Sequence, residues 1–415
     1  MQLQQLIDRK NEAAKFMVDK ITYIIKNFET RAPGSKGEEQ CARYMADYMK
    51  NECGCEYSEV ESFREHPGAF FGWIYITVTF ALASIILFFF MPIVSVILIV
   101  VGLTLAVLEF GLYKKAVDWM FPEKTGHSVT AIKKCSGETK RRVFFDGHID
   151  ATWEWPVNYY FGGVAFEAHA MIGFAGAFYY LILSIVYMAK FGIHFGMIDK
   201  TAAHPFYVAA LAGLVFVPFL IGLYFLSNER RVVDGANDNL SGCYMGITIL
   251  KELHDAGITL ENTEVGVILA GSEESGLRGA QAWAQAHEHD YDDVPTFIYS
   301  YDTIYDPKYL MVNYRNINAT IATDKEVGDL FYDAAQEIGV HCTKGMVPPM
   351  GGATNGAAYA QKGFRATDIT GLNHKLENYY HTRRDTYDNM NEKGLADCYA
   401  ASVKVLEKID NGALD

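Results

Sequence analysis

The sequence is short of basic residues, with 36 Lys and Arg against 50 Asp and Glu and a formal net charge of −14 at pH 7. Proteins that bind nucleic acids need basic patches to neutralise phosphates. The charge balance therefore argues against a nucleic-acid partner. With 415 residues, half of them hydrophobic at 50%, the chain is nevertheless long enough to bury a large core.

Cysteine is too sparse to build a disulfide framework. The seven cysteines are odd in number and scattered along the chain, which favours a reducing compartment. Cys53 and Cys55 lie close together, but no second Cys or His pair follows at zinc-finger spacing. Residues Met1–Lys20 lack the apolar block of a signal peptide. We therefore expect neither a disulfide scaffold nor a structural zinc finger.

Charged residues are missing altogether from one long stretch, Phe70–Leu108, which Pro92 divides near its middle. A helix needs about 20 apolar residues to cross a bilayer, so this stretch predicts two spans joined by a tight turn. A second such segment contains Met171–Ala189 and Pro205–Leu226, with a short polar connection between them. Each hairpin leaves and returns on one side of the membrane. The remaining sequence can therefore assemble into one domain that carries the hairpins as insertions.

Outside the hairpins, predicted strands alternate with predicted helices. This pattern is typical of a doubly wound α/β fold, in which helices cover both faces of a largely parallel central sheet. Four transmembrane helices, inserted as two hairpins, would complete the molecule. The clearest segments are strands at Glu264–Ala270, Thr296–Tyr301 and Tyr309–Val312 and helices at Leu3–Phe28, Leu240–Leu253, Asp324–Ile338, Ala353–Gln361 and Glu392–Ile409.

Five polar groups lie where predicted strands end or in loops. In open α/β sheets, sites are built at the carboxyl ends of strands. Two adjacent acids at such an end repel each other unless a cation or a shared proton relieves them. Each group also has a plain structural interpretation, as a surface residue, a turn or a helix cap. The groups contain His148 with Asp150, Asp238, Glu273 with Glu274, Asp302, and His381.

Together these groups resemble the M28 family of di-zinc aminopeptidases. His-x-Asp, Gly-Ala-Asn-Asp-Asn-x-Ser-Gly, Glu-Glu-x-Gly-Leu, a strand-end Asp and His-Thr-x-x-Asp-Thr occur in the family's order. The lead-in Arg31-Ala32-Pro33-Gly34-Ser35 is also similar to that of the family. The resemblance covers nearly the whole chain except the two hairpins.

The resemblance implies two zinc ions bridged by Asp238. His148 and Asp302 would complete the ligands of one ion, and Glu274 and His381 those of the other. Asp150 would orient His148 from behind. Glu273, which is not a ligand in the family, would be the general base. Such a pair of cations lowers the pKa of a shared water and polarises a scissile carbonyl.

The predicted function is therefore that of a membrane-anchored, zinc-dependent aminopeptidase acting on peptides with a free N-terminus. One alternative is a glutaminyl-cyclase-like transferase, which has a similar scaffold but uses one zinc. Another is a non-catalytic membrane scaffold or receptor with the same fold. Thr354-Asn355-Gly356 stands where related enzymes often carry an acidic residue, so the family's N-terminal specificity does not carry over.

The hairpins divide the predicted enzyme into five segments. The catalytic domain is assembled from three of them, and the first metal-ligand motif lies in the middle one. The segments are residues 1–69 and 114–165 of the catalytic domain, hairpins at 70–113 and 166–228, and the remainder of the catalytic domain at 229–415.

Basic residues near the predicted spans indicate which side of the membrane the catalytic domain occupies. Short cytoplasmic flanks carry an excess of Lys and Arg. The domain side has five such residues close to the spans and the far side has two. We therefore expect an integral protein of the cell membrane, in contact with the lipid bilayer, whose catalytic domain is cytoplasmic. The five are Arg64, Lys114, Lys115, Arg230 and Arg231, and the two are Lys190 and Lys200.

Overall fold

A computed structural model describes residues 3–349 and 351–414. The described chain divides into two compact units. The first consists of residues 3–67, 123–154 and 230–414, and the second of residues 68–122 and 155–229. The second unit is thus made of two insertions in the sequence of the first.

The helices and strands of both units are as follows in chain order. They are α1 Gln4–Asp8, α2 Lys10–Asn27, α3 Lys36–Glu52, β1 Tyr57–Glu65, α4 Ala69–Phe88, α5 Pro92–Ala106, β2 Lys124–Lys133, β3 Arg141–His148, β4 Trp153–Glu154, α6 Pro156–Phe161, α7 Gly163–Phe191, α8 His204–Ala212, α9 Val217–Gly222, β5 Asn228–Val232, α10 Ser241–Asp255, β6 Thr263–Ala270, α11 Arg278–Ala286, β7 Thr296–Ile304, β8 Leu310–Asn313, β9 Arg315–Asn316, β10 Ile321–Ala322, α12 Lys325–Glu337, β11 Thr343–Gly345, α13 Gly356–Gln361, β12 Arg365–Gly371 and α14 Glu392–Asp410.

The first unit is built on an eight-stranded sheet with the order β1-β2-β6-β3-β7-β12-β8-β11. Its centre is parallel, because β3 runs parallel to both β6 and β7, and β7 runs parallel to β12. Antiparallel pairs join β1 to β2, β2 to β6, and β12 to β8. The predicted α/β class with a largely parallel sheet is confirmed.

Successive residues of the central strand β3 point to opposite faces of the sheet, where they pack against different helices. Phe144 makes an edge contact with Trp283 of α11, at 5.9 Å between ring centroids. Phe145 faces α10, where its Cβ lies 3.0 Å from the position a Cβ would take on Gly246. Every residue of β3 and β6 is buried, as expected for strands covered on both faces.

The sequence did not reveal β12, although this strand lies between β7 and β8 near the middle of the sheet. Its residues include Thr367, Asp368 and Thr370, and they break the apolar run that marks a buried strand. The structure buries these polar groups and pairs them. The Asp368 carboxylate accepts hydrogen bonds from Thr354 Oγ1 at 2.5 Å and Asn316 Nδ2 at 2.8 Å. Such pairing permits a polar strand in a core.

Several predicted boundaries are wrong in informative ways. The helix predicted over Leu3–Phe28 is interrupted at Arg9, which joins α1 to α2. The helix predicted from Ala353 begins only at Gly356. Residues 238 and 239 do not open α10, because its first residue is Ser241 and Leu240 stands at its N-cap. Asp238 is therefore not the simple helix cap that local sequence also permitted.

Close backbone approach brings the end of β3 against the start of α10. A Cβ on Gly147 would lie 2.5 Å from the backbone nitrogen of Cys243. The missing side chain at Gly147 lets the helix approach the strand directly before His148. Because β3 continues to His148 and β7 to Ile304, both His148 and Asp302 are fixed by strand hydrogen bonds and not by a loop.

The second unit contains four helical segments that are long and apolar enough to cross a membrane. They cover Ala69–Phe88, Pro92–Gly111, Gly163–Phe191 and His204–Phe225. The last is interrupted by tighter turns at Gly213–Phe216 and Leu223–Phe225. Many large apolar side chains on these helices are exposed, Ile86 by 64% and Val215 by 63%.

Small residues and hydrogen bonds hold the four apolar segments of the second unit together. A Cβ on Gly176 would lie 2.7 Å from Phe216 Cβ. The Ser95 and Ser184 hydroxyls lie 3.2 Å apart, and the Tyr180 hydroxyl donates to the Ala210 carbonyl at 2.6 Å. Close packing through small residues and interhelical polar contacts is typical of helices that associate in lipid.

Candidate metal centre

Seven side chains predicted from the sequence to form a site lie in the first unit, and the structure brings them together. Three overlapping groups of His and carboxylate ligand atoms each lie within 4.8 Å of one another. The residues come from the ends of β3 and β7, the turn after β6 and the loops before α10 and α14. The groups are His148, Asp238 and Asp302; Asp238, Glu274 and His381; and His148, Glu273 and Glu274.

Asp238, like His148 and Glu274, belongs to two of these groups, and its two oxygens face different imidazoles. Oδ1 lies 3.2 Å from His148 Nε2, and Oδ2 lies 3.0 Å from His381 Nε2. Burial alone would raise the pKa of Asp238, but the contacts with His148 and His381 outweigh it and hold that pKa below its ordinary value. A carboxylate placed between two imidazoles in this way has the arrangement of a bridging metal ligand.

Asp150 fixes two of the neighbouring groups at once. Its Oδ1 accepts the backbone N–H of Glu273 at 2.9 Å, and its Oδ2 accepts that of Glu274 at 3.0 Å. His148 Nδ1 lies 3.2 Å from the main-chain carbonyl oxygen of Asp150 and 3.4 Å from the same Oδ1. Asp150 therefore sets the direction of the imidazole and the position of the acidic turn, as residues behind metal ligands commonly do.

The turn that carries Glu273 and Glu274 has an unusual backbone. Ser272 and Leu277 have φ values of 53° and 60°, a region that L-residues adopt uncommonly. A Cβ on Gly279 would lie 2.1 Å from the carbonyl oxygen of Gly271. The turn is thus tight, and such backbone conformations concentrate at functional sites.

The loop that carries Asp238 is held by Asp385, a residue for which the sequence predicts no role of its own. Asp385 accepts hydrogen bonds from the backbone N–H and the side-chain amide of Asn237, both at 2.8 Å, and from the backbone N–H of Asp238 at 3.0 Å. Burial and the charge of Asp238 raise the pKa of Asp385 to about 7. Only its place in the His-Thr-x-x-Asp-Thr motif could have drawn attention to it.

Two further residues beside His381 were not found from the sequence. The Tyr380 ring stacks on the His381 ring, at 3.9 Å between centroids. Arg383 donates from Nε and Nη2 to the two oxygens of the buried Glu154, both at 2.6 Å. A two-point contact of this kind fixes the position of a loop.

Negative charge is in excess throughout the centre, where five carboxyl groups meet two imidazoles. Burial is the largest cause that raises the pKa values of Glu273 and Glu274 well above the ordinary value for Glu, and the charges of neighbouring carboxylates are the next. Burial and the charge of Asp238 raise the pKa of Asp302 to about 7. Burial lowers the pKa of His148, but the charges of Glu273, Asp150 and Asp238 outweigh it and raise that pKa well above its ordinary value.

The donor set fits zinc. Imidazole nitrogens and carboxylate oxygens are zinc ligands in proteins. The buried His148 Nε2 and Glu274 Oε1 make no hydrogen bond of acceptable geometry within the described residues, although the first lies 3.2 Å from Asp238 Oδ1 and the second 3.4 Å from His381 Nε2. Buried polar atoms are nearly always paired, and a cation would pair both of these atoms while relieving the repulsion between the carboxylates.

A cavity of about 460 Å³ opens beside the centre. Asp302 and Tyr380 line it where it meets the candidate ligands, and Thr354 lies in its wall. Apolar side chains of Met311, Val347 and Leu372 line other parts. A mostly preformed pocket with a few polar groups is typical of a small-molecule or peptide site.

Part of the chain matches the model of a known protein family. Residues 223–406 match the model of Peptidase family M28. The match begins before Asp238 and includes Glu273, Glu274, Asp302 and His381. It supports the predicted assignment of this chain to peptidase family M28, a family of zinc-dependent hydrolases.

The fold is also similar to solved structures. An aminopeptidase from Aneurinibacillus sp. strain AM-1 has a TM-score of 0.55 and 13% identity, over 97% of this chain and 95% of that one. BSAP, a zinc aminopeptidase from Bacillus subtilis, gives 0.54 and 12%, over 95% of both chains. A glutaminyl cyclase from Porphyromonas gingivalis gives 0.53 and 10%, over 96% and 98%. At these identities the likeness concerns the fold alone.

Replacing Asp150 by Asn tests how the centre is positioned. Asn keeps the shape but presents an amide NH₂ to one of the two backbone N–H groups that Asp150 accepts. We expect zinc affinity to fall by about 10- to 100-fold, the usual effect of losing a residue behind a ligand. Competition with a chromogenic chelator measures the affinity. The exposed Glu138 supplies a control in Glu138→Gln, and equal affinities in the two variants would contradict the assigned role.

The raised pKa values of Asp302, Glu274 and His148 predict that zinc binding depends on pH. These groups hold protons in the metal-free protein and must release them to act as ligands. Affinity should therefore be low at pH 6 and rise by at least about tenfold by pH 8, with protons released on binding. Titration calorimetry in two buffers of different ionisation enthalpy measures the release. Binding without proton release would contradict the pKa directions.

Proposed function

We propose that this chain is a zinc-dependent aminopeptidase of peptidase family M28, anchored in a membrane, that hydrolyses the N-terminal residue from peptides. The observation that carries the proposal is the position of Asp238, whose two carboxylate oxygens face His148 and His381 separately. A single carboxylate that serves two metal ions is the feature a two-zinc hydrolase needs. The family match supports the hydrolase class.

The proposed ligands divide into two sets that share Asp238. His148 and Asp302 belong to one set, and Glu274 and His381 to the other. Two of the three groups support this division, whereas the third, with His148, Glu273 and Glu274, takes one ligand from each set. When bound, the zinc pair would polarise the scissile carbonyl and make a water molecule more acidic. The chain's own residues set where the substrate and the protons go.

Glu273 is the proposed general base. Its Oε2 lies 3.9 Å from His148 Nε2, and only 8% of the residue is exposed. Its raised pKa, caused by burial and by neighbouring carboxylates, suits a group that accepts a proton from water and then delivers it to the leaving amine. The hydrogen bond from the Glu273 backbone N–H to Asp150 holds the residue in place without occupying its side chain.

A glutaminyl-cyclase-like activity is the second candidate, since a glutaminyl cyclase is among the proteins of similar fold. Such an enzyme would cyclise an N-terminal Gln with one zinc and would not need a bridging carboxylate. The contact of Asp238 with His381 through the second oxygen favours two metals. Metal content and product analysis distinguish the two activities.

The membrane anchor is proposed from the second unit. Its four helical segments have mean hydropathies of 2.1, 2.7, 1.8 and 2.4, and the exposed apolar side chains on them are suited to lipid tails. The excess of Lys and Arg next to the segments on the side of the first unit supports a cytoplasmic catalytic domain.

Glu273→Gln is the variant that tests the base. The amide keeps the shape of the side chain but accepts no proton at neutral pH, so turnover of an aminoacyl-p-nitroanilide should fall by at least about 100-fold. Zinc content should stay that of the parent protein, because Glu273 is not among the proposed ligands. Unchanged turnover would refute the role of Glu273, and Glu138→Gln controls for the loss of a carboxylate elsewhere.

Membrane anchoring has its own test. The protein should remain in the membrane fraction after washing at alkaline pH and leave it only in detergent, because the apolar surface of four spans cannot be hydrated. Single-cysteine labelling then gives the sidedness. Cys135, which is partly exposed in the first unit, should react with a membrane-impermeant maleimide only in opened cells. Release by the alkaline wash, or labelling in intact cells, would contradict the respective part of the proposal.

A further inference from the structure

Two buried carboxylates outside the metal centre lie behind the turn that carries Glu273 and Glu274. Glu38 of α3 and Glu65 at the end of β1 are 0% and 2% exposed. Both contact the same hydroxyl, since Ser272 Oγ lies 2.7 Å from Glu38 Oε2 and 2.5 Å from Glu65 Oε1. This serine directly precedes Glu273, so the pair adjoins the proposed base without belonging to the centre.

The two carboxylates differ in the partners that they have. Glu38 accepts backbone N–H groups, from His127 at 2.8 Å and from Ser272 at 3.0 Å. Burial raises the pKa of Glu38, but these donors oppose that rise and suit a charged carboxylate. The hydrogen bonds of Glu65 within the described residues go to two serine hydroxyls, Ser272 through Oε1 and Ser275 through Oε2 at 2.8 Å. Among the residues that the structure describes, Glu65 therefore has no N–H donor and no cation as a hydrogen-bond partner.

Hydrogen bonds between the Ser272 hydroxyl and the two carboxylates require two protons, and Glu65 has to supply one of them. The Ser272 hydroxyl has a single proton and is within hydrogen-bond distance of two carboxylates. If it donates to Glu38, the oxygen of a charged Glu65 would face the Ser272 lone pairs at 2.5 Å with no proton between them. A protonated Glu65 removes this conflict, because it donates to Ser272, which in turn donates to Glu38. The Ser275 hydroxyl then donates to the other oxygen of Glu65.

The surrounding charges favour the protonated form. Burial and the charge of Glu38 raise the pKa of Glu65 to about 8. Asp150, behind the metal centre, adds a further negative charge. On β2, Lys124 stands opposite Glu65 in the strand register and is exposed, and His127 Nδ1 lies 3.8 Å from Glu38 Oε1.

We propose that Glu65 is a positioning residue that acts as a neutral acid and, by donating to Ser272, holds the turn with Glu273 and Glu274 in its working geometry. Its role in catalysis rests on the proposed aminopeptidase function. The proton on Glu65 determines the direction of the pH dependence. At low and neutral pH, Glu65 donates to Ser272 and Ser272 donates to Glu38, whereas ionisation of Glu65 at alkaline pH breaks the first of these hydrogen bonds. Ionisation of Glu65 would also place its negative charge next to that of Glu38.

The activity test compares the pH profile of kcat between variants, with an aminoacyl-p-nitroanilide as substrate. Glu65→Gln keeps a neutral donor, so it should retain at least a third of the activity at pH 7, and its alkaline limb should move up by at least about one pH unit. Glu65→Ala removes the donor, and kcat should fall about tenfold with KM little changed. Glu59→Gln, on an exposed position of the same strand, should have the parent profile. A Glu65→Gln variant with the parent profile would overturn the proposal, because a merely structural role would leave the limb in place.

A spectroscopic test does not depend on activity. Infrared difference spectra of the zinc-loaded protein between pH 7 and pH 10 should contain the carbonyl band of a carboxylic acid that loses its proton. Asp385 contributes a band of the same kind, so the assignment depends on the part of the signal that disappears in Glu65→Gln and persists in Glu59→Gln. If no part disappears, Glu65 is charged and the proposal is wrong. If the signal behaves as expected in a protein without peptidase activity, the proton on Glu65 stands and the proposed function fails.

Discussion

The repulsion between buried carboxylates around Asp238 is the constraint on which the rest of the site depends. Several acids that cannot all ionise in a water-poor site need either protons or cations. Burial first, and then this repulsion, raise the pKa values of Glu273, Glu274 and Asp302 in the metal-free protein. Cations would relieve it, and they would convert the same carboxylates from a source of instability into ligands. Metal binding and the integrity of the site are therefore coupled.

The arrangement persists because buried neighbours hold the backbone that carries the ligands. Asp150 accepts the N–H groups of the acidic turn, and Asp385 accepts those of the loop with Asp238. Glu65 and Glu38 add a third support through Ser272. In each case a side chain bonds to the main chain or to a serine next to a ligand, so it directs the ligand without competing for the metal.

A residue's role could be predicted from the sequence only where its neighbours along the chain indicate that role. The α/β class could be predicted from the alternation of apolar strands and helices. The seven proposed site residues, which the structure brings together, could be selected because they follow apolar strands and occur in a known order of motifs. The strand β12 could not, because its Thr and Asp side chains conceal a buried strand, and only partners distant in sequence, such as Asn316, satisfy them. Glu65 gave no signal either, since its role exists only where β1 meets the turn after β6.

The central claim is that Asp238 bridges two metal ions, and the metal content of the protein tests it most directly. Protein purified in detergent without chelators, and analysed by elemental mass spectrometry, should contain about two zinc ions per chain. Asp238→Ala should lose most of this zinc, whereas Glu138→Gln should keep it. One zinc per chain would contradict the bridged pair and favour the cyclase-like activity. No zinc, even after incubation with the metal, would contradict the account altogether and favour a non-catalytic scaffold.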